Sequence, residues 1–162
     1  MKVIIHDLGP EYDALIEGKC GTAVAADGKY APCQGCFGCW TKHPAECFMK
    51  DKLQQVCRVI GRADELVIVT KNLYGAYSAA VKNILDRSIG TSTPFSTYRG
   101  WQMHHTLRYG KRNRLHVIVY GSITDAEKNT WKLMAERNAT NMGFTAHSVT
   151  FCADAEEAGR KA

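Results

Sequence analysis

Apolar residues recur along the chain in two rhythms. Val3-Ile4-Ile5 and Leu66-Val67-Ile68-Val69 are unbroken apolar runs, the pattern of parallel strands covered on both faces. They predict strands over Lys2–Asp7 and Glu65–Lys71. Thr22–Ala26, Leu115–Tyr120 (ending at Gly121) and Ala146–Cys152 read as three more. Between these runs the period changes. Leu53, Val56, Cys57 and Ile60 share one stripe of a helix over Lys50–Arg62, and Val81, Ile84, Leu85 and Ser88 share another over Ser78–Ile89. Thr124-Asp125-Ala126-Glu127 is a capping box, whose hydroxyl and carboxylate satisfy free amides at a helix start. That helix is expected to reach about Asn141, with Trp131, Met134 and Ala135 inward, and to stop before Gly143. Glu11–Gly18 has room for at most two turns, and the tail after Asp154 reads as polar and frayed.

Alternating strands and helices predict an α/β fold, with a doubly wound, five-stranded parallel sheet in the order 2-1-3-4-5. The first helix is short and little or no last helix is expected. Ligands of such sheets bind outside the carboxyl ends of the strands, here Asp7-Leu8-Gly9, Thr70–Ser78 and Tyr120–Ile123. Gly90–Arg114 is too long for an ordinary connection and is expected to serve function or an interface.

The 162 residues suit a single domain spanning 1–162. No apolar run approaches the roughly 20 residues of a membrane helix. The start is too short and too soon acidic for a signal peptide, so a cytoplasmic protein with reduced thiols is expected. The net charge is +5. Arg99, His104, His105, Arg108, Lys111, Arg112 and Arg114 lie together without an intervening acid. The stretch reads either as a solvated basic loop or as an anion site. No recognition motif accompanies it, so nucleic acid is not an expected partner.

Cys33, Cys36, Cys39 and Cys47 follow C-x2-C-x2-C-x7-C. Bacterial ferredoxins use the same x2 spacing for corners of a [4Fe–4S] cube, whereas zinc sites more often split their ligands into two separated knuckles. A zinc site, disulfides, and a tight loop of plain buried thiols remain alternatives. Cys20, Cys57 and Cys152 read as core or surface thiols.

Taken together, Pro32-Cys33-x-Gly35-Cys36-x-x-Cys39-Trp40, Cys47, Lys50-Asp51, Ala63-Asp64-Glu65, Thr70-x4-Gly75-x2-Ser78, Lys82 and Asp86-Arg87 resemble the flavodoxin-like NAD(P)H-dependent FMN reductase family. The cysteine run is similar to that of the iron–sulfur flavoproteins within it. The resemblance covers about Pro32 to Arg87. It implies FMN at the carboxyl edge of the sheet, NAD(P)H as hydride donor, an onward electron acceptor and a homo-oligomer. By position, Thr70, Lys71, Asn72, Leu73, Tyr74, Gly75, Tyr77 and Ser78 line the ring, and Gly121 and Ser122 flank it. The four clustered cysteines become candidate ligands of a [4Fe–4S] centre. One departure stands out. Where the family has a phosphate-cradling loop and a long first helix, this chain has Asp7-Leu8-Gly9-Pro10-Glu11-Tyr12-Asp13. Its acids repel a phosphate and Pro10 has no N–H. His104, His105 and Arg108 are then the candidate anchors for the phosphate, from the same chain or from a partner copy. The rival reading is a degenerate flavodoxin-like module without flavin, acting in protein association or small-anion binding.

Overall fold

The computed structural model describes residues 1–162. Seven strands form two sheets: β1 (Lys2–His6), β2 (Thr22–Ala25), β3 (Glu65–Lys71), β4 (Ser92–Arg99), β5 (Gln102–Leu107), β6 (Arg112–Tyr120) and β7 (Phe144–Cys152). Five of them make the parallel main sheet, in the order β2-β1-β3-β6-β7. Without the separate β4–β5 hairpin, this is the predicted 2-1-3-4-5. Ile5 stands beside Ile68, Ile68 beside Val117, and Val117 beside Val149.

Alternate residues of each strand feed two cores. On one face Val3, Ile5, Leu66, Ile68, Leu115 and Val117 meet α2 (Val56–Gly61), α3 (Ala79–Arg87) and α4 (Asp125–Met142) through Val56, Ile60, Val81, Ile84, Trp131 and Ala135. On the other, Ile4, Val67, Val69 and Ile118 meet α1 (Asp13–Ile16) and α5 (Ala155–Lys161) through Ile16 and Ala158. This second layer is thin because α1 has only four residues and α5 only seven. The capping box at Thr124 forms, and Gly143 ends α4 in the left-handed conformation at φ 81°, as the sequence predicts. No helix is long and apolar enough to cross a membrane.

Two expectations, the frayed tail and the helix from Lys50, need correction. The tail after Asp154 is not frayed: the Asp154 carboxylate accepts from the Glu157 amide at 2.8 Å, the Glu157 carboxylate accepts from the Ala153 amide at 2.8 Å, and α5 packs Ala158 into the thin layer. Gly90–Arg114 is mostly ordered as the β4–β5 hairpin, turning at Gly100 with φ 62°. Its register shifts between Ser92 and Ser96, where Pro94 has no N–H to give the ladder. The helix expected from Lys50 begins only at Val56, because Lys50–Gln55 is organised around a charge.

That charge is Asp51. Its carboxylate receives both terminal nitrogens of Arg87 at 2.8 Å, and the backbone amides of Leu53 at 2.9 Å and Ala31 at 3.2 Å. Arg87 is 2% exposed and also donates to the Ala31 carbonyl at 2.8 Å. The adjacent Asp86 and Arg87 part company: Asp86 faces Lys82 on the surface and Arg87 turns inward to Asp51. The two-pronged bond from Arg87 holds the Asp51 carboxyl down to about 2. A depressed carboxylate stabilises the fold above its unfolded value near 4 and loses that contribution as pH falls through its folded value.

Asp51→Asn strands a buried guanidinium, so urea unfolding is expected to show a loss of about 3 kcal/mol. Acid titration of the parent protein should lose this pair's share of stability between about pH 4 and pH 2, and D51N should lack that component.

Candidate active site at the carboxyl edge of the sheet

β1, β3 and β6 end side by side, and their exits are tied together by two residues. Asp7 leaves β1 with its carboxylate accepting the Lys71 amide at 3.0 and 3.1 Å and the Thr70 hydroxyl at 3.3 Å. Thr70 is fully buried, and its oxygen accepts the Ser78 amide at 3.0 Å, which closes the loop before α3. Asn72 joins the two loops. Its amide donates to the Tyr120 carbonyl and its side chain to the Ser122 carbonyl, both at 2.9 Å. Its side-chain oxygen accepts the Trp131 indole N–H at 2.8 Å and the Gly75 amide at 3.1 Å.

Above this hub, Leu73 and Ala76 exchange two backbone hydrogen bonds of 3.0 Å around Tyr74 and Gly75, at φ 53° and 78°. Successive left-handed residues are the signature of a tight primed turn. The turn lifts Tyr74, 90% exposed, and Leu73 off the protein. Gly121, at φ 103°, has open space where a side chain would point. The two loops thus form a shelf, with no slot between them because Asn72 stitches them edge to edge. The top of the shelf, between the Tyr74 turn and Gly121, is open to solvent.

The neighbouring exit of β1 is acidic in structure as in sequence. Pro10–Tyr12 is a single 3-10 turn. A Cβ at Gly9 would lie 2.3 Å from the Glu11 carboxylate, so that acid folds over the backbone a phosphate would approach. Asp13 and Glu17 line a groove of about 390 Å³ beside β2. His6 borders it, buried, with Nδ1 unpartnered, and burial lowers its pKa. The β1 exit thus presents carboxylates where the family resemblance implies a phosphate.

His104, His105 and Arg108 are not brought to the shelf within one chain. α3 is nine residues long, about 13 Å at the usual rise, and these residues lie at its far end. Arg108 donates to the Gly90 carbonyl at 3.0 Å and the Trp40 carbonyl at 3.4 Å. Arg99 and Arg112 likewise bind the carbonyls of Thr140 and Ile60. Much of the basic stretch therefore holds its own backbone.

The four clustered cysteines do gather. Cys33, Cys36, Cys39 and Cys47 line one small cavity with Arg87, whose Nε has no partner. The donor chemistry suits a cluster; the room does not. The cavity of about 20 Å³ holds about one water. No three Cys, His, Asp or Glu side chains converge as a single metal ion requires, and all seven cysteines are free thiols. The sequence reading missed Cys57 as a member of this group. Buried on α2, its thiol donates to the Arg87 carbonyl at 3.1 Å, and its closeness to Cys39 lowers the Cys39 pKa and raises its own. Only the fold could show this, since the two are eighteen positions apart and Cys57 reads as a core residue.

The sequence profile of the NADPH-dependent FMN reductase family matches residues 22–102, half of the chain. The chain belongs to this family. It is accordingly a flavin-dependent oxidoreductase, with FMN as its cofactor and NAD(P)H as electron donor. No curated protein matches the sequence. Among solved structures, the fold of this FMN reductase family member is similar to an FMN-dependent NADH-azoreductase from Bacillus anthracis in complex with FMN (TM-score 0.57, 12% identity, covering 99% of this chain and 94% of that one). It is also similar to an NAD(P)H:quinone oxidoreductase from Methanothermobacter marburgensis (0.56, 14%, 99% and 98%) and to the NAD(P)H:acceptor oxidoreductase FerB from Paracoccus denitrificans (0.51, 13%, 91% and 74%). Identities this low establish the shared fold.

Asn72→Ala removes the stitch and leaves the buried Trp131 N–H without an acceptor. Thermal or urea unfolding is expected to show a loss of about 2 kcal/mol, with the Tyr74 turn becoming more open to proteolysis.

Proposed function

We propose that this family member binds its flavin chiefly through the ring, laid on the shelf formed by Asn72–Tyr77 and Gly121–Ser122, and leaves the FMN phosphate unanchored. The observation that carries this reading is the acidic exit of β1, where the Glu11 carboxylate covers Gly9 and the Asp7 carboxylate already takes the Lys71 amide. When bound, the flavin supplies the hydride chemistry between NAD(P)H and an acceptor. The chain's own part is to present the flat backbone of the Leu73–Ala76 turn. It also keeps the two loops at one height through Asn72 and leaves one face of the ring open beside Tyr74. A flavin held this way exchanges readily. A second copy covering the exposed Tyr74 and Leu73 would complete the site, consistent with a homo-oligomer.

The Cys33–Cys47 loop takes no step in this reading. A cube held by Cys33, Cys36, Cys39 and Cys47 requires that loop to open. Anaerobic loading with iron and sulfide, followed by its visible spectrum, tests that separately.

Isothermal titration is expected to show riboflavin binding at least as tightly as FMN, by up to about fivefold. FMN binding far more tightly than riboflavin overturns the unanchored phosphate. Removing one like charge is worth about 1 kcal/mol at 4 Å in water. Glu11→Gln should therefore strengthen FMN roughly fivefold and leave riboflavin unchanged.

A further inference from the structure

A sizeable groove lies away from the flavin shelf. It measures about 480 Å³ and lies along the carboxyl halves of α3 and α4, walled by the cysteine loop and the β4–β5 hairpin. This is within the usual size of small-molecule sites. One wall is aromatic: Phe37 and Trp40 have ring centroids 4.9 Å apart, and Trp40 and His105 4.7 Å apart. Trp40 is locked in place by its indole N–H, which donates to the Ile89 carbonyl at 2.8 Å. The facing wall is aliphatic, from Leu85, Met134 and Met142.

Two polar groups converge on the same space with hydrogen-bond donors to spare. Tyr77, 5% exposed, accepts from the Asn138 amide at 3.0 Å, and its own hydroxyl hydrogen has no acceptor in the protein. Burial pushes its pKa up to about 12, which keeps that hydrogen in place. His104 Nδ1 sits 2.8 Å from the Asn141 side-chain oxygen. A carboxamide oxygen only accepts, so the ring nitrogen donates and the Asn141 amide nitrogen remains free. The charges at the rim, Lys82 and Asp86, cancel in an ion pair.

We propose that this groove is a second ligand site, distinct from the flavin shelf, for an uncharged planar aromatic molecule that stacks on Trp40 and receives hydrogen bonds from Asn141 and Tyr77 on a carbonyl edge. Paired rim charges give no preference for an ion. The rigid aromatic face selects a flat ring, and the free donors of Asn141 and Tyr77 suit a carbonyl on its edge. Phe37 and Ile89 border both this groove and the thiol cavity, so a bound ring lies one side chain away from the cysteines. The proposal does not depend on how the flavin is held.

Coumarin is a suitable probe, being neutral, bicyclic and carbonyl-bearing, and without NAD(P)H in the titration nothing is present to reduce it. Calorimetric titration of the full chain is expected to show saturable 1:1 binding. Asn141→Leu removes the donor and Met134→Trp fills the groove; each should weaken coumarin about tenfold or more while FMN affinity stays unchanged. Tyr74→Ala, on the shelf, should leave coumarin binding intact. Circular dichroism and the FMN titration verify that each variant is folded. Equal coumarin affinity in parent, N141L and M134W overturns the proposal, as does loss of binding in Y74A alone. So does the absence of saturable binding, including the case where sedimentation shows a second copy of the chain covering the groove.

Discussion

The bond between Arg87 and Asp51 is the constraint on which this arrangement rests. A guanidinium that is 2% exposed cannot stay buried unpaired. Asp51 meets it with both oxygens, and the Ala31 carbonyl takes a further hydrogen. Residues 26–55 contain no helix or strand, so few repeating backbone bonds are available to hold them. One charge at the end of α3 fixes both ends of that segment, at Ala31 and at Asp51. It thereby fixes the cysteine loop, the position of Trp40 and one wall of the large groove. The same side chain lines the thiol cavity, with an N–H left over.

At the other end of α3 the organising group is neutral. Asn72 uses its carboxamide to tie the exits of β3 and β6 to each other and to the indole of Trp131. The consequence is a flat surface, which suits a ring lying on it. The acids leaving β1 make the adjoining region repel the charged half of the same cofactor. In the proposed binding mode the ring platform and the phosphate region belong to different strand exits, so one is kept without the other.

The two ends differ in kind. The carboxyl edge offers backbone surface and an exposed turn; the far end offers volume, stacked aromatics and thiols. The basic residues that looked suited to a phosphate belong to the far end, where Arg99, Arg108 and Arg112 satisfy carbonyls that the hairpin and the helix ends leave open. Their charge serves the backbone rather than a ligand on the shelf.

Periodicity determined the main architecture. Unbroken runs such as Leu66–Val69 suit strands buried on both faces and the stripe of Val81, Ile84 and Leu85 suits a helix against them, so the class followed, and the right-handed crossover rule supplied the strand order. Thr124, Glu127 and Gly143 marked a helix by local chemistry that acts within a few residues. Gly100 and the Asp154–Glu157 pair carried local signals of the same sort, for the hairpin and for α5, but a polar surrounding hid them. Tertiary structure decided what depends on partners distant in sequence. Asp51 chose Arg87 over a helical turn, Cys57 met the Arg87 carbonyl beside Cys39, and Asn72 closed the gap between two loops. Local patterns report which face of an element is buried, whereas a hydrogen bond between side chains tens of residues apart exists only once the chain has brought them together.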